Sequence, residues 1–420
     1  MTSQPPAARE IVIKAITESE LGEWVRAMEA GFLLAVPDGA IAYRAAFFTP
    51  GRSVGAFAGD TCVATLRSFD MEVTVPGGSA VSAEGITNVA VVPARRRRGL
   101  LTTLMRRALD EAVVRGHSLA ALIASEYRIY GRFGFGPATT TAAYDIDVRR
   151  AGGVRAVDGG EGTFEALSLE EVRRHGSELH ERFRRIQPGA INRSEQAWRV
   201  RTGELRNPHW DRHERWGVLY RDAQGRPSGM ALYRIADRWS DGDPDYEMTV
   251  DDIFAMDAAA GAALWRHLLN TEWVNRVTVV GVAPDDPLPL LLDNPRACVP
   301  RPPTGIDHLW LRILDVRRAL EARSYAAPDH LVLEVSDPAG YTPGRFALET
   351  GTDGSASARI VDDPSDLALG VSALAMIYLG NQTFQRLAAA GLVTERTAGA
   401  VMRGDRMFQT SGRPWCADGF

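Results

Sequence analysis

A chain of 420 residues is too long for one ordinary core, and a prior of roughly 150 residues per domain predicts two to four domains. Its 45% hydrophobic and 24% charged residues are the balance of a soluble globular protein, and a net charge of −5 argues against a dedicated nucleic-acid binder. Cys62, Cys298 and Cys416 offer neither a disulfide framework nor a zinc pattern, and no apolar run approaches the ~18–20 residues that span a bilayer. The first residues lack the basic and apolar regions of a secretory signal, so a cytoplasmic protein with no membrane span is expected.

In chain order, residues 8–16 read as a strand and residues 19–32 as a helix with apolar spacing at Leu21, Trp24, Met28 and Phe32. Residues 54–57, 62–69 and 71–75 read as antiparallel strands ahead of the turn Pro76-Gly77-Gly78. A strand at 86–92, a basic loop, a helix ending near Gly116 and a strand at 119–124 follow. The glycine-rich stretch after Arg149 and the prolines from Pro295 to Pro303 are breaks, predicting segments 1–150, 151–303 and 304–420. The middle segment repeats a strand-strand-strand-helix-strand order at 216–220, 229–235, 252–256, 258–273 and 276–282. The last carries strands at 331–335 and 345–348 and helices at 371–379 and 381–389. The fold class is α/β (α+β).

The run from Asn88 to Leu101 is the most informative. A strand ends at Pro93, four arginines follow, and a helix opens at Gly99 with an apolar stripe through Leu100, Leu104, Ala108 and Ala112. The unpaired N–H groups and dipole of a helix start suit a pyrophosphate, glycine permits its close approach, and arginines supply forked donors. Arg95 to Arg98 alone would be a solvated basic loop; the strand-loop-helix setting makes them a phosphate site.

Arg96-Arg97-Arg98-Gly99-Leu100-Leu101 resembles the coenzyme A signature of the GNAT superfamily. Together with Ala124-Ser125-Glu126 and the string Ile129-Tyr-Gly-Arg-Phe-Gly-Phe-Gly136, it resembles the enhanced intracellular survival (Eis) acetyltransferases along essentially the whole chain. The resemblance implies tandem GNAT-like domains followed by a sterol-carrier-protein-like domain, with acetyl-CoA as co-substrate and no metal. It implies contacts to acetyl-CoA from Val89, Ala90, Val91, residues Arg96 to Thr102 (Arg96, Arg97, Arg98, Gly99, Leu100, Leu101, Thr102), Ser125 and Glu126. It also implies an amine acceptor and a homo-hexamer.

Acetyl transfer needs an acid for the departing thiolate and a base for the amine. Tyr130 reads equally as a core aromatic or as an acid, since a phenol of pKa ~10 stays protonated at neutral pH. The resemblance makes it the general acid and makes the α-carboxylate of Phe420 the general base. The family's acceptor pockets are acidic, whereas residues 30–36 here read Ala-Gly-Phe-Leu-Leu-Ala-Val and the penultimate residue is Gly419. Glu29, Asp38 and Asp418 remain to supply negative field, and residues 32–36 read as pocket wall or core alike. Those departures open the acceptor class to smaller or more apolar amines. His209 and His213 have the i, i+4 spacing of a metal pair but no third ligand at motif spacing. An alternative is a non-catalytic protein whose last segment carries a lipid.

Overall fold

The computed structural model describes residues 10–210, 213–302 and 304–420. A seven-stranded sheet runs in the order Ile11–Ala15, Ser53–Ala58, Thr61–Thr74, Ala80–Val91, Leu119–Ile123, Leu309–Ile313, Gly136–Pro137. A second seven-stranded sheet runs Cys298–Pro300, Ala142–Asp147, Val274–Val282, Tyr246–Ala255, Pro227–Ala236, Trp216–Arg221, Thr163–Leu167. Five strands, Ala356–Ile360, Gly344–Thr350, His330–Ser336, Leu367–Gly370 and Val393–Glu395, form the third.

Sheet membership crosses the expected boundaries at 150 and 303. Strand Ala142–Asp147 pairs with Val274–Val282 in the second sheet, and strand Leu309–Ile313 pairs with Leu119–Ile123 in the first. The chain leaves the first sheet at Gly136–Pro137, before the arginine-glycine stretch that marks the composition break. The first segment therefore gives a strand to the second sheet, and the last segment gives one to the first.

Other differences have local causes. Residues 61–74 are one strand, because Asp70 turns its carboxylate to Arg52 while its backbone pairs with Glu84. The next strand starts at Ala80, earlier than apolar residues suggest; small and polar residues 80–85 are held extended by pairing with 69–74. Helix Ala258–Leu269 stops short of 273 at Asn270, and helix Leu169–Arg184, with its Ser168–Glu171 capping box, has no counterpart in the expected elements.

Helix Leu100–Val114 covers one face of the first sheet, where Leu104, Met105 and Leu109 pack on Ile86, Leu122 and Trp310. Part of the other face is covered by the third domain, whose helix Val371–Tyr378 lies over Leu309 and Leu311 in one continuous core. In that core Leu333, Phe346, Leu374, Tyr378, Phe384 and Phe408 are each no more than 3% exposed. A Cβ on Gly136 would lie 2.1 Å from the carbonyl oxygen of Ser372 on that helix. Gly136→Ala should therefore lower unfolding free energy by about 1–3 kcal/mol through overpacking. Gly131→Ala, which meets nothing within 4 Å, should stay within about 0.5 kcal/mol in the same thermal or urea melts.

Candidate active site

Gly99 has φ +79 and is the N-cap of helix Leu100–Val114, so the chain enters the helix through a left-handed turn that favours glycine. Arg97 also lies in the left-handed region at φ +61. Arg97, Arg98 and Gly99 are exposed beside the free N–H groups of Leu100, Leu101 and Thr102, an arrangement suited to an anion. Arg96 differs from its expected part in a phosphate fork. Its Nη2 donates to the Gly31 carbonyl at 2.7 Å and its Nε to that of Val91 at 3.2 Å, so the side chain ties the loop to helix Leu21–Gly31 and to the strand.

Strand Ala80–Val91 is bulged where it matters. Asn88 has φ +53, its carbonyl accepts from the Thr65 hydroxyl at 2.8 Å, and the register against Thr61–Thr74 slips between Thr65 and Arg67. On the opposite edge the parallel ladder to Leu119–Ile123 covers only Ala83–Gly85 against Leu119–Ala121. Beyond it the two strands part, leaving the edge of residues 86–91, with Val89, Ala90 and Val91, along a cleft whose far wall continues into Ser125 and Glu126. Gly31 closes the other side: a Cβ there would be 2.7 Å from that of Ala90.

Tyr130 ends the short helix Tyr127–Tyr130 and is 5% exposed, its ring edge-on to Phe135 at 6.2 Å. Burial pushes its phenol above the usual 10.0, Ser125 pulls against the rise, and Glu126 adds to it. The phenol is protonated throughout the neutral range. Gly134, at φ +84, lets the following turn lie against Arg312, whose buried guanidinium pairs with Asp337 at 2.5 Å. The third domain thereby braces the tyrosine turn.

The far end of the chain packs against the second domain and the first sheet. Trp415 N–H donates to Pro188 at 2.9 Å, and His308 Nε2 lies 2.9 Å from the Asp418 carbonyl. Arg193 binds Asp252 through both Nη atoms, at 2.6 and 3.1 Å, and Asp418 through Nε at 2.8 Å; Arg201 reaches Asp418 at 2.5 Å. Burial alone would raise the Asp418 carboxyl, but Arg193 and Arg201 outweigh it and hold it well below the usual carboxylate range. The Phe420 ring then docks edge-on to Phe69 of the first sheet, centroids 5.3 Å apart.

Family models described as acetyltransferase (GNAT) domains match residues 12–138 and 189–313, and a sterol carrier protein domain matches 316–417. An N-acetyltransferase of Streptomyces avermitilis is 43% identical, over 98% of this chain and 99% of that one. N-acetyltransferase Eis of Mycobacterium tuberculosis is 35% identical, over 89% and 90% of the two chains. The crystal structure of Eis1 from Mycobacterium abscessus superposes with a TM-score of 0.83 at 31% identity, covering 98% of this chain and 100% of that one. The chain belongs to the Eis family of GNAT N-acetyltransferases. It is an acetyltransferase of two GNAT domains and a sterol-carrier-like domain, and the fold implies acetyl-CoA as co-substrate.

The second GNAT domain of this Eis-family enzyme has no arginine-glycine turn ahead of its helix. Its helix Ala258–Leu269 is capped by Asp257, whose carboxylate accepts from Ala260 N–H at 2.8 Å and fills the place an anion would take. A cavity of about 280 Å³ nearby lies between that domain, at Phe183, Trp265 and Asp286, and the tail, at Arg413 and Trp415, and is not the acetyl cleft.

Of the acidic residues Glu29, Asp38 and Asp418, two are held by other side chains, and Asp38 is exposed. Asp418 is consumed by Arg193 and Arg201, and Glu29, 1% exposed, pairs with His209 Nε2 at 3.0 Å. That pairing ties helix Leu21–Gly31 to the second domain and accounts for His209 without a metal; His213 is exposed. Residues 32–36 are not core: Leu33 stops the helix at φ +63 and is 73% exposed, with Leu34 at 51%. Asp70, Glu84 and His117 bring ligand atoms within 4.8 Å of one another, which spacing did not reveal. Arg52 contacts both carboxylates and Arg115 contacts Glu84, so among these residues two cations already balance two anions.

Asp418→Ala leaves Arg193 and Arg201 short of a partner and should cost about 3–5 kcal/mol of stability. His180 is held down to about 3 from 6.5, first by burial and then by Arg193. Asp418 pulls against that depression, and His180 stays packed on Trp198 and Phe254 beside Arg193 when the tail leaves, so docking takes its pH dependence from Asp418, whose carboxyl is held below its ordinary 3.8 while bound. Docking is therefore fully stable above about pH 5 and weakens as pH falls through about 3.8. Hydrogen exchange at Trp415 and Cys416 against pH should show protection lost on acidification.

Proposed function

We propose that the enzyme transfers the acetyl group of acetyl-CoA directly to a primary amine, in the cleft between strands Ala80–Val91 and Leu119–Ile123. The carrying observation is the convergence on the first domain of a bulged strand, a buried protonated phenol and a tail delivered from the far end of the chain. Residues Arg97, Arg98 and Gly99 with the N–H groups of Leu100, Leu101 and Thr102 hold the pyrophosphate, and Arg96 fixes the loop. Backbone N–H groups of Val89 to Val91 polarise the thioester carbonyl, and Ser125 and Glu126 line the thiol end.

The amine lone pair attacks the acetyl carbon, the carbon–sulfur bond breaks, and the thiolate takes the proton of Tyr130. The proton of the amine passes to the Phe420 carboxylate, directly or through a water; amide and free thiol leave, Phe420 returns its proton to solvent and Tyr130 regains one from it. The docking of its ring on Phe69 supports this part for Phe420. Homo-hexameric assembly in the cytoplasm accompanies the reading on family grounds.

Tyr130→Phe should lower kcat about 10²-fold or more while acetyl-CoA affinity stays within about twofold, because the hydroxyl acts only as the sulfur departs. Acetyl-CoA-dependent thiol release across an amine panel, with calorimetric titration of acetyl-CoA, measures both. An unchanged kcat removes Tyr130 from the mechanism.

A further inference from the structure

Arg67 lies on the face of strand Thr61–Thr74 that carries Phe69, beside the docked Phe420. Its guanidinium stands over the Phe47 ring at 5.4 Å and the Phe69 ring at 4.9 Å. Its one hydrogen bond is a long one, from Nε to the Asn88 side-chain oxygen at 3.4 Å. Arg44, in helix Ala40–Ala45, flanks the same aromatic group: it lies over Tyr43 at 5.3 Å, and Tyr43 meets Phe47 edge-on at 5.3 Å. Among the described residues neither arginine forms an ion pair, with the Phe420 carboxylate or any other. Burial depresses both guanidinium groups, and Arg67 is pushed down to about 10, with Arg44 adding like-charge repulsion. A half-buried guanidinium with most of its five donors unused costs stability unless something else meets them.

Asp418 is committed to Arg193 and Arg201, and Glu29 pairs with His209 while its charge also reaches Arg44 without an ion pair. The chain end thus lies beside aromatic faces and two cations without an ion pair among the described residues, and exposed Leu33 and Leu34 follow the end of helix Leu21–Gly31, which Glu29 anchors. Resting on the transfer reading above, we infer that the acceptor is an amine that also carries an anionic oxyacid group, bound by Arg44 and Arg67, with an apolar body between the two. A carboxylate or a phosphate matches the guanidinium fork; a polycation meets like charge. The same two cations disfavour the ammonium form of the amine, which eases loss of its proton to Phe420.

The test compares matched amines by kcat/KM in the full-length enzyme: 6-aminohexanoate against hexylamine, phosphoethanolamine against ethanolamine, and a polycationic aminoglycoside. The acid-bearing member of at least one pair should be preferred by roughly tenfold or more, the pair that wins distinguishing carboxylate from phosphate. Arg67→Met should reduce that ratio about tenfold, chiefly through KM, and Arg67→Lys should restore part of it. Arg44→Met, on the more open helix, is the second variant should the first fail to fold. Equal rates within both pairs, or preference for the polycation, overturns the inference and leaves amine acetylation standing. No acetylation of any amine overturns both.

Discussion

Two arginines and two aspartates meet between the second domain and the end of the chain, and the site depends on their mutual neutralisation. Arg193 and Asp252 are almost fully buried, so each is costly to keep charged without the other. Asp418 enters as the fourth charge from more than two hundred residues away and makes the set neutral. A covalent chain end, ordinarily the most mobile part of a protein, is thereby fixed to within two residues of its last atom. What remains, Gly419 and Phe420, is just long enough to lay an aromatic ring on Phe69 of another domain.

The two GNAT domains show how little separates an anion site from a capped helix. Both present a parallel strand pair that diverges, after Gly85 and Ala121 in the first and after Val250 and Val279 in the second. In the first, a left-handed glycine opens the helix and leaves its N–H groups free; in the second, the Asp257 carboxylate occupies them. The second domain has turned instead to holding the tail, through Arg193, Arg201 and His180 packed against Phe254 and Trp198.

Local chemistry was legible in the sequence: Gly99 and its arginines, the stripe of helix Leu100–Val114, and the tyrosine string whose glycines prove to be a left-handed turn at Gly134 and a close approach at Gly136. The family resemblance supplied the order of domains. Partnerships across long separations were not legible. Nothing near Asp418 in the chain announces Arg193, so it read as a free acid close to the pocket. Glu29 read the same way until its 180-residue-distant partner His209 was placed. Arg44 and Arg67 carried no signal, because an arginine on a strand or short helix is ordinary until its surroundings show no ion-pair partner. The exchange of strands Ala142–Asp147 and Leu309–Ile313 was hidden for the same reason: composition marks linkers, not sheet membership.

The central claim is that the α-carboxylate of Phe420 is part of the acetyl-transfer site. Extending the chain by one alanine moves that carboxylate by a residue while leaving the Asp418 clamp and the acetyl-CoA loop in place. The account predicts that kcat falls about 10²-fold or more, with acetyl-CoA affinity and melting temperature nearly unchanged. Full turnover in the extended enzyme would contradict it.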